Sequence, residues 1–260
     1  MKILDPEKLY TMEGTNLEPG DTFSFACGPH LKCFNLCCRN LTLFLYPYDV
    51  ARLRRALKMS SGQFIERHTQ IVLRKGGHFP DVLLAMAENE QKTCPFLTAK
   101  GCSVYLDRPW ACRTFPTEHG IYYDDQSGLS TRLDWFKPPD YCLGRHEPAT
   151  WTVESWHADQ GAGIYYRQME QWSAFLRHFE KDPWQGLGPE SQAGRMAFMA
   201  TYNPDDFLDF VRQSSFMKRY KLSADAKKKI RKNDETLLKL GREFTLNFLF
   251  NKPATLFQKA

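Results

Sequence analysis

Cys94-Pro95-Phe96-Leu97-Thr98-Ala99-Lys100-Gly101-Cys102-Ser103-Val104-Tyr105-Leu106-Asp107-Arg108-Pro109-Trp110-Ala111-Cys112 carries three of the chain's eight cysteines. Outward from it lie Cys27, Cys33 and the adjacent pair Cys37 and Cys38 on one side, and Cys142 on the other. All eight fall between residues 27 and 142, and none follows. Thiols placed at random would also populate the last third, so the cysteines mark one unit around which the fold is read.

With 260 residues, 42% hydrophobic and 14% aromatic, the chain can bury one sizeable core or two smaller ones. No run of about 18 apolar residues suggests a membrane helix. Met1-Lys2-Ile3-Leu4-Asp5-Pro6 lacks the apolar run and cleavage pattern of a secretory leader, so a cytoplasmic location is expected. Reducing surroundings leave thiols free for metals or catalysis. Eight cysteines also suit four disulfides, but a chain of this length does not need such staples. The net charge of +5, with 35 basic residues interleaved with 30 acidic ones, indicates neither a nucleic-acid nor a membrane partner.

Glu18-Pro19-Gly20-Asp21 is a turn, and Asn40 to Tyr46 reads as a strand. Pro47 opens a helix through Leu57, and Ser60-Ser61-Gly62-Gln63 has the spacing of a capping box. The apolar run from Val82 suits a strand leading into a metal-holding loop, although a short helix would look the same. Gly120 to Tyr123 and Leu129 to Leu133 flank the Asp124-Asp125-Gln126-Ser127-Gly128 turn of a hairpin. Beyond Pro148 the pattern becomes helical: Val153 to Trp156, then Ile164 to Phe179 with Tyr165, Met169 and Trp172 on one face. Asn203-Pro204-Asp205-Asp206 starts another helix, and Ser223 caps a last long one through Ile230, Leu237, Leu240, Phe244 and Phe248. The expected fold is α+β: a small strand-and-loop cysteine-cluster domain over 1–148, with a helical region over 149–260 packing on it.

Sulfur ligands select zinc, copper(I) or iron–sulfur clusters over magnesium or calcium. Cys33 and Cys37 have the separation of a zinc knuckle. The gaps of seven residues before Cys102 and nine before Cys112 suit an iron–sulfur cluster better, because its ligands come from distant loops. Neighbouring side chains such as Cys37 and Cys38 diverge unless the backbone turns sharply, so one can be a ligand while the other packs, reacts or binds a second ion. Four thiolates on zinc or on an oxidised four-iron cluster leave a net charge near −2. Lys32, Arg39, Arg108 and Arg113 stand beside the cysteines, and the three arginines are candidates for the shell of donors around such a centre. His30 and His119 could each replace a thiolate, although the thiolates suffice. No phosphate loop, HExxH or serine or cysteine triad appears, so the catalytic residues, if any, are unknown.

The run from Cys94 to Pro116, the Cys37-Cys38-Arg39 group before it and Tyr141-Cys142-Leu143-Gly144 after it resemble the YkgJ or CxxCxxCC family of candidate zinc- or iron-chelating proteins. The resemblance covers about residues 23 to 145 and includes all eight cysteines. Its usual two-residue gaps are five and three here, and Leu143 replaces the proline of the closing Cys-Pro-Gly. The family is similar to the cysteine-rich part of flagellin lysine methylase, which implies an iron–sulfur cluster with S-adenosylmethionine and a protein substrate. Three functions are therefore expected to compete. The first is a 4Fe–4S protein with an electron-transfer or cluster-dependent role. The others are a protein-modifying enzyme and a zinc-stabilised interaction module.

Overall fold

The computed structural model describes residues 2–4, 13–124 and 129–260. It has α+β architecture and divides into two compact units, one of Met1–Thr42, Met86–Tyr105 and Pro109–Ser173, the other of Leu43–Ala85, Leu106–Arg108 and Ala174–Ala260.

The first unit contains every cysteine. Its sheet has the order β1 (Lys2–Leu4), β9 (Thr117–Tyr123), β10 (Ser130–Phe136) and β2 (Thr15–Leu17). β9 and β10 form the expected hairpin, in register from Tyr123 opposite Ser130 to Thr117 opposite Phe136. Residues 125–128 of its turn lie outside the described residues. The turn after β2 also forms: Pro19 presets φ, Gly20 takes φ +94°, and the Asp21 N–H donates to the Glu18 carbonyl at 2.9 Å. β3 (Thr22–Ser24) pairs with β11 (Thr150–Thr152), and β7 (Leu97–Thr98) with β8 (Gly101–Cys102). α3 (Trp110–Thr114) precedes β9, and α4 (Val153–Asp159) directly follows β11; α5 (Gly163–Leu176), whose residues from Ala174 onward are counted with the second unit, buries Tyr165, Met169, Trp172 and Phe175 as the periodicity predicts. Leu17, Phe23, Phe25, Cys142, Val153 and Trp156 make one core. Cys142 therefore sits at the edge of an aromatic cluster, where its backbone is fixed by packing.

In the second unit β4 (Phe44–Leu45), β6 (Asp81–Leu84) and β5 (Thr69–Val72) form an antiparallel sheet in that order. The run from Asn40 yields only two residues of strand, because Asn40 adopts φ +49° and breaks the extended backbone. α1 (Pro47–Ala56) and α2 (Ser61–His68) form as expected. At α2 the Gln63 N–H donates to Ser60 Oγ at 3.2 Å while the Ser60 N–H donates to Gln63 Oε1 at 3.0 Å, a reciprocal cap. α6 (Gln192–Tyr202), α7 (Pro204–Gln213), α8 (Phe216–Arg219), α9 (Ala224–Lys229) and α10 (Asp234–Phe250) follow, and β12 (Tyr220–Leu222) pairs with β13 (Phe257–Lys259). Their core gathers Phe207, Val211, Phe216, Leu237, Leu240 and Phe244.

The single long helix expected from Ser223 is two helices. Asn233 interrupts it with φ −127°, and its side-chain oxygen accepts the Thr236 N–H at 2.8 Å, restarting the chain as α10. Asp234 and Glu235 then occupy the first turn, where the helix dipole favours them. Asn233→Ala is expected to cost about 1 kcal/mol in urea unfolding. An unchanged midpoint would mean that the cap contributes nothing.

Candidate metal centre

Asn35 takes φ +66° and leads into a 3-10 turn over Leu36–Cys38. That sharp turn brings the two adjacent thiols together: Cys37 hydrogen-bonds to Cys38. Sharing one proton drives them apart, raising Cys37 well above the ordinary thiol range and lowering Cys38 to about 7. Arg39 also favours the Cys38 thiolate, while its guanidinium donates to Gln91 Oε1 at 2.9 Å and to the Asn35 carbonyl at 2.5 Å.

Main-chain hydrogen bonds tie the three cysteine groups to one another. The Cys94 N–H donates to the Cys38 carbonyl at 2.8 Å, and the Asn40 N–H to the Lys92 carbonyl at 2.9 Å, joining the first group to the second. The Leu143 N–H donates to Cys33 Sγ at 3.2 Å, joining the first to the third. The Ala26 N–H donates to the Gly144 carbonyl at 3.1 Å, which lays the Cys142 loop beside Cys27. Only glycine fits there, since a Cβ on Gly144 would lie 2.4 Å from the Ala26 carbonyl oxygen and 2.9 Å from the Phe25 ring.

Two of the sulfurs receive N–H donors from their own loops. Pro95 has no N–H, and those of Phe96 and Leu97 reach Cys94; those of Gly144 and Arg145 reach Cys142. A loop that aims two backbone donors at its own cysteine sulfur stabilises the thiolate when the proton leaves. Burial works the other way, pushing Cys94 up to about 11 and raising Cys27 and Cys142. Without a cation these thiols hold their protons.

All eight cysteines are outside disulfides, with Cys33 and Cys142 buried and Cys27 and Cys112 exposed. Cys27 feels Cys142, Cys33 and Cys38; Cys37 feels Cys27 and Cys112; Cys94 feels Cys38 and Cys102. The eight therefore form one connected neighbourhood. Among the described residues, no three His, Cys, Asp or Glu side chains are already grouped so as to hold a metal ion. A change of staggered χ1 rotamer moves a cysteine sulfur by about 3 Å without moving the backbone. The donor set fits a thiolate metal centre in its chemistry, and closing it around an ion would require such side-chain rotation.

Tyr141 is a neighbour that the sequence reading did not single out. Burial raises its phenol pKa, as do Cys37, Cys142, Cys38 and Cys33, so its hydroxyl remains a donor beside the thiols. Arg113 is buried, with Nη1 donating to the Gln160 carbonyl at 2.5 Å, Nη2 to the Tyr165 hydroxyl at 3.3 Å, and its cation 4.4 Å from the Tyr165 ring centre. Arg108 is buried as well. His30 faces Glu147 at 3.5 Å from an exposed position.

His119 belongs to a separate buried network. Its Nδ1 lies 2.6 Å from Asp134 Oδ1, and its Nε2 lies 2.9 Å from Thr117 Oγ1 and 3.3 Å from His157 Nε2. Arg132 holds the other Asp134 oxygen at 2.7 Å, and the Trp110 ring packs on both histidines. Burial lowers both imidazoles, against the pull of Asp134 on His119; His157, near His119 and Arg132, falls to about 3. An unfolded histidine titrates near 6.5, so below that pH the unfolded chain takes up protons that the folded network refuses. Stability should therefore fall as pH drops from about 6.5 towards 3, by up to about 1.4 kcal/mol per pH unit for His157. Urea unfolding of His157→Gln between pH 7 and 4 should show a flatter acid limb; parallel profiles would contradict the assignment.

Clustered thiols, backbone donors on their sulfurs and three chain segments tied together are the chemistry of a cysteine-based metal-chelating domain. Residues 26–142 match the model of the CxxCxxCC family, described as "Putative zinc- or iron-chelating domain". No curated protein and no solved structure matches the chain significantly. No helix among the described residues is long and apolar enough to cross a membrane.

Proposed function

We propose that the thiols between Cys27 and Cys142 hold an iron–sulfur cluster of the 4Fe–4S type, and that the protein serves an electron-transfer or other cluster-dependent role. Cys94, Cys102 and Cys112 are the assigned ligands, with the fourth from Cys33, Cys37 or Cys142. Eight thiols suffice for two centres. The observation that carries the reading is the set of N–H donors on the Cys94, Cys142 and Cys33 sulfurs, in a neighbourhood that holds twice the thiols one zinc tetrad needs.

A bound cluster would supply one-electron chemistry. The chain's own part is to hold and tune it. Backbone donors to the sulfurs, together with Arg39 beside Cys38 and Arg145 beside Cys142, offset the negative charge of four thiolates. Exposed Cys27 and Cys112 place one side of the set near solvent, where a protein redox partner could approach. Anaerobic titration with dithionite tests this: the visible absorption should bleach and return on reoxidation. Protein that stays colourless and takes up only zinc would replace the reading with a zinc-stabilised module.

A further inference from the structure

The chain's positive charge is concentrated in one short segment of the second unit. Residues 218–232 contain Lys218, Arg219, Lys221, Lys227, Lys228, Lys229, Arg231 and Lys232 against Asp225 alone, a local charge of +7. The whole chain carries +5, so everything outside this segment sums to −2. All eight cations are exposed. Among the described residues only Lys229 has a carboxylate partner, Asp225 at 3.0 Å. Seven exposed cations without counter-charges repel one another, a cost that a polyanion would remove.

The fold holds them on a fixed platform. Leu222, Ala226 and Ile230 point into the core, while Lys221, the α9 lysines, Arg231 and Lys232 face outward. Pairing of β12 with β13 adds exposed Lys259 opposite Tyr220. Leu222, Ala226 and Ile230 are buried, Tyr220 is half-buried and only the small Ala224 is exposed among the apolar residues of the segment, leaving little to insert into a lipid surface, and none of its exposed residues is an aromatic on which a base could stack. What remains is an array of point charges suited to repeated phosphates.

We propose that this surface binds the phosphate backbone of double-stranded nucleic acid without reading its sequence. A duplex presents one charge per about 1.7 Å of axis, the densest complement to such an array. The inference is independent of the metal reading.

The test is fluorescence anisotropy of a labelled 20-base-pair duplex with the full chain between 50 and 200 mM salt. With six or seven phosphates neutralised, affinity should fall on the order of 10³-fold across that range. The triple variant Lys227→Glu, Lys228→Glu, Arg231→Glu should lose at least about 30-fold at 50 mM salt, while Lys75→Glu, Lys100→Glu, Lys181→Glu stays within about 3-fold. Equal loss in both triples, salt-independent binding or no binding at 50 mM would overturn the proposal. Binding to phosphatidylserine vesicles but not to the duplex would overturn it as well, assigning the surface to lipid.

Discussion

Cys94→Ser is expected to strip the protein of most of its metal. Cys94 offers a sulfur already met by the Phe96 and Leu97 N–H groups, in a loop whose backbone is fastened to Cys38. Loss of an outer donor alone costs a metal site about 10–100-fold in affinity, so loss of a ligand should cost more than about 100-fold. Metal content per chain after gel filtration measures it. His30→Ala is the matching control, since His30 is exposed and faces Glu147 rather than a thiol, and it should keep its full complement. Retention of metal by Cys94→Ser would remove Cys94 from the ligand set.

Gly144→Ala is expected to have the second large effect, and through a different cause. The added methyl would meet a backbone carbonyl oxygen at 2.4 Å, and backbone cannot rotate aside as a flexible side chain can. Either the Cys142 loop or the Ala26–Cys27 segment must move, breaking the Ala26 to Gly144 hydrogen bond and disturbing the Leu143 N–H that reaches Cys33. Overpacking of this kind costs about 1–3 kcal/mol. Metal content should fall together with the unfolding midpoint. A variant with native stability and full metal would show that the loop is not held where Gly144 places it.

Much of the local structure was legible because its causes are local. Ser60 with Gln63, Asn203 with Pro204, and Pro19 with Gly20 each act within four residues, and each forms as read. The break at Asn233 was missed because Ile230, Leu237 and Leu240 keep helical spacing across it, so burial periodicity masks the cap. The strand expected from Asn40 failed for a related reason: apolar content suggested extension, but a left-handed asparagine ended it.

The candidate site divides in the same way. That the cysteines form a unit is visible from their confinement to 27–142. Which thiols become neighbours is not visible. The Leu143 N–H and Cys33 Sγ lie 110 residues apart, His157 and His119 38 apart, and both contacts exist only after folding. Tyr141 could have been noticed beside Cys142, but its nearness to Cys33, Cys37 and Cys38 depends on the closing loop. The basic segment 218–232 was present in the sequence all along. Averaging charge over the chain concealed it.

The most direct measurement is the anaerobic absorption spectrum of freshly purified protein, with iron, acid-labile sulfide and zinc quantified on the same sample. A broad band at about 400 nm is expected, with iron and sulfide in equal amounts, about four of each per cluster. Colourless protein carrying stoichiometric zinc and no sulfide would contradict the iron–sulfur reading.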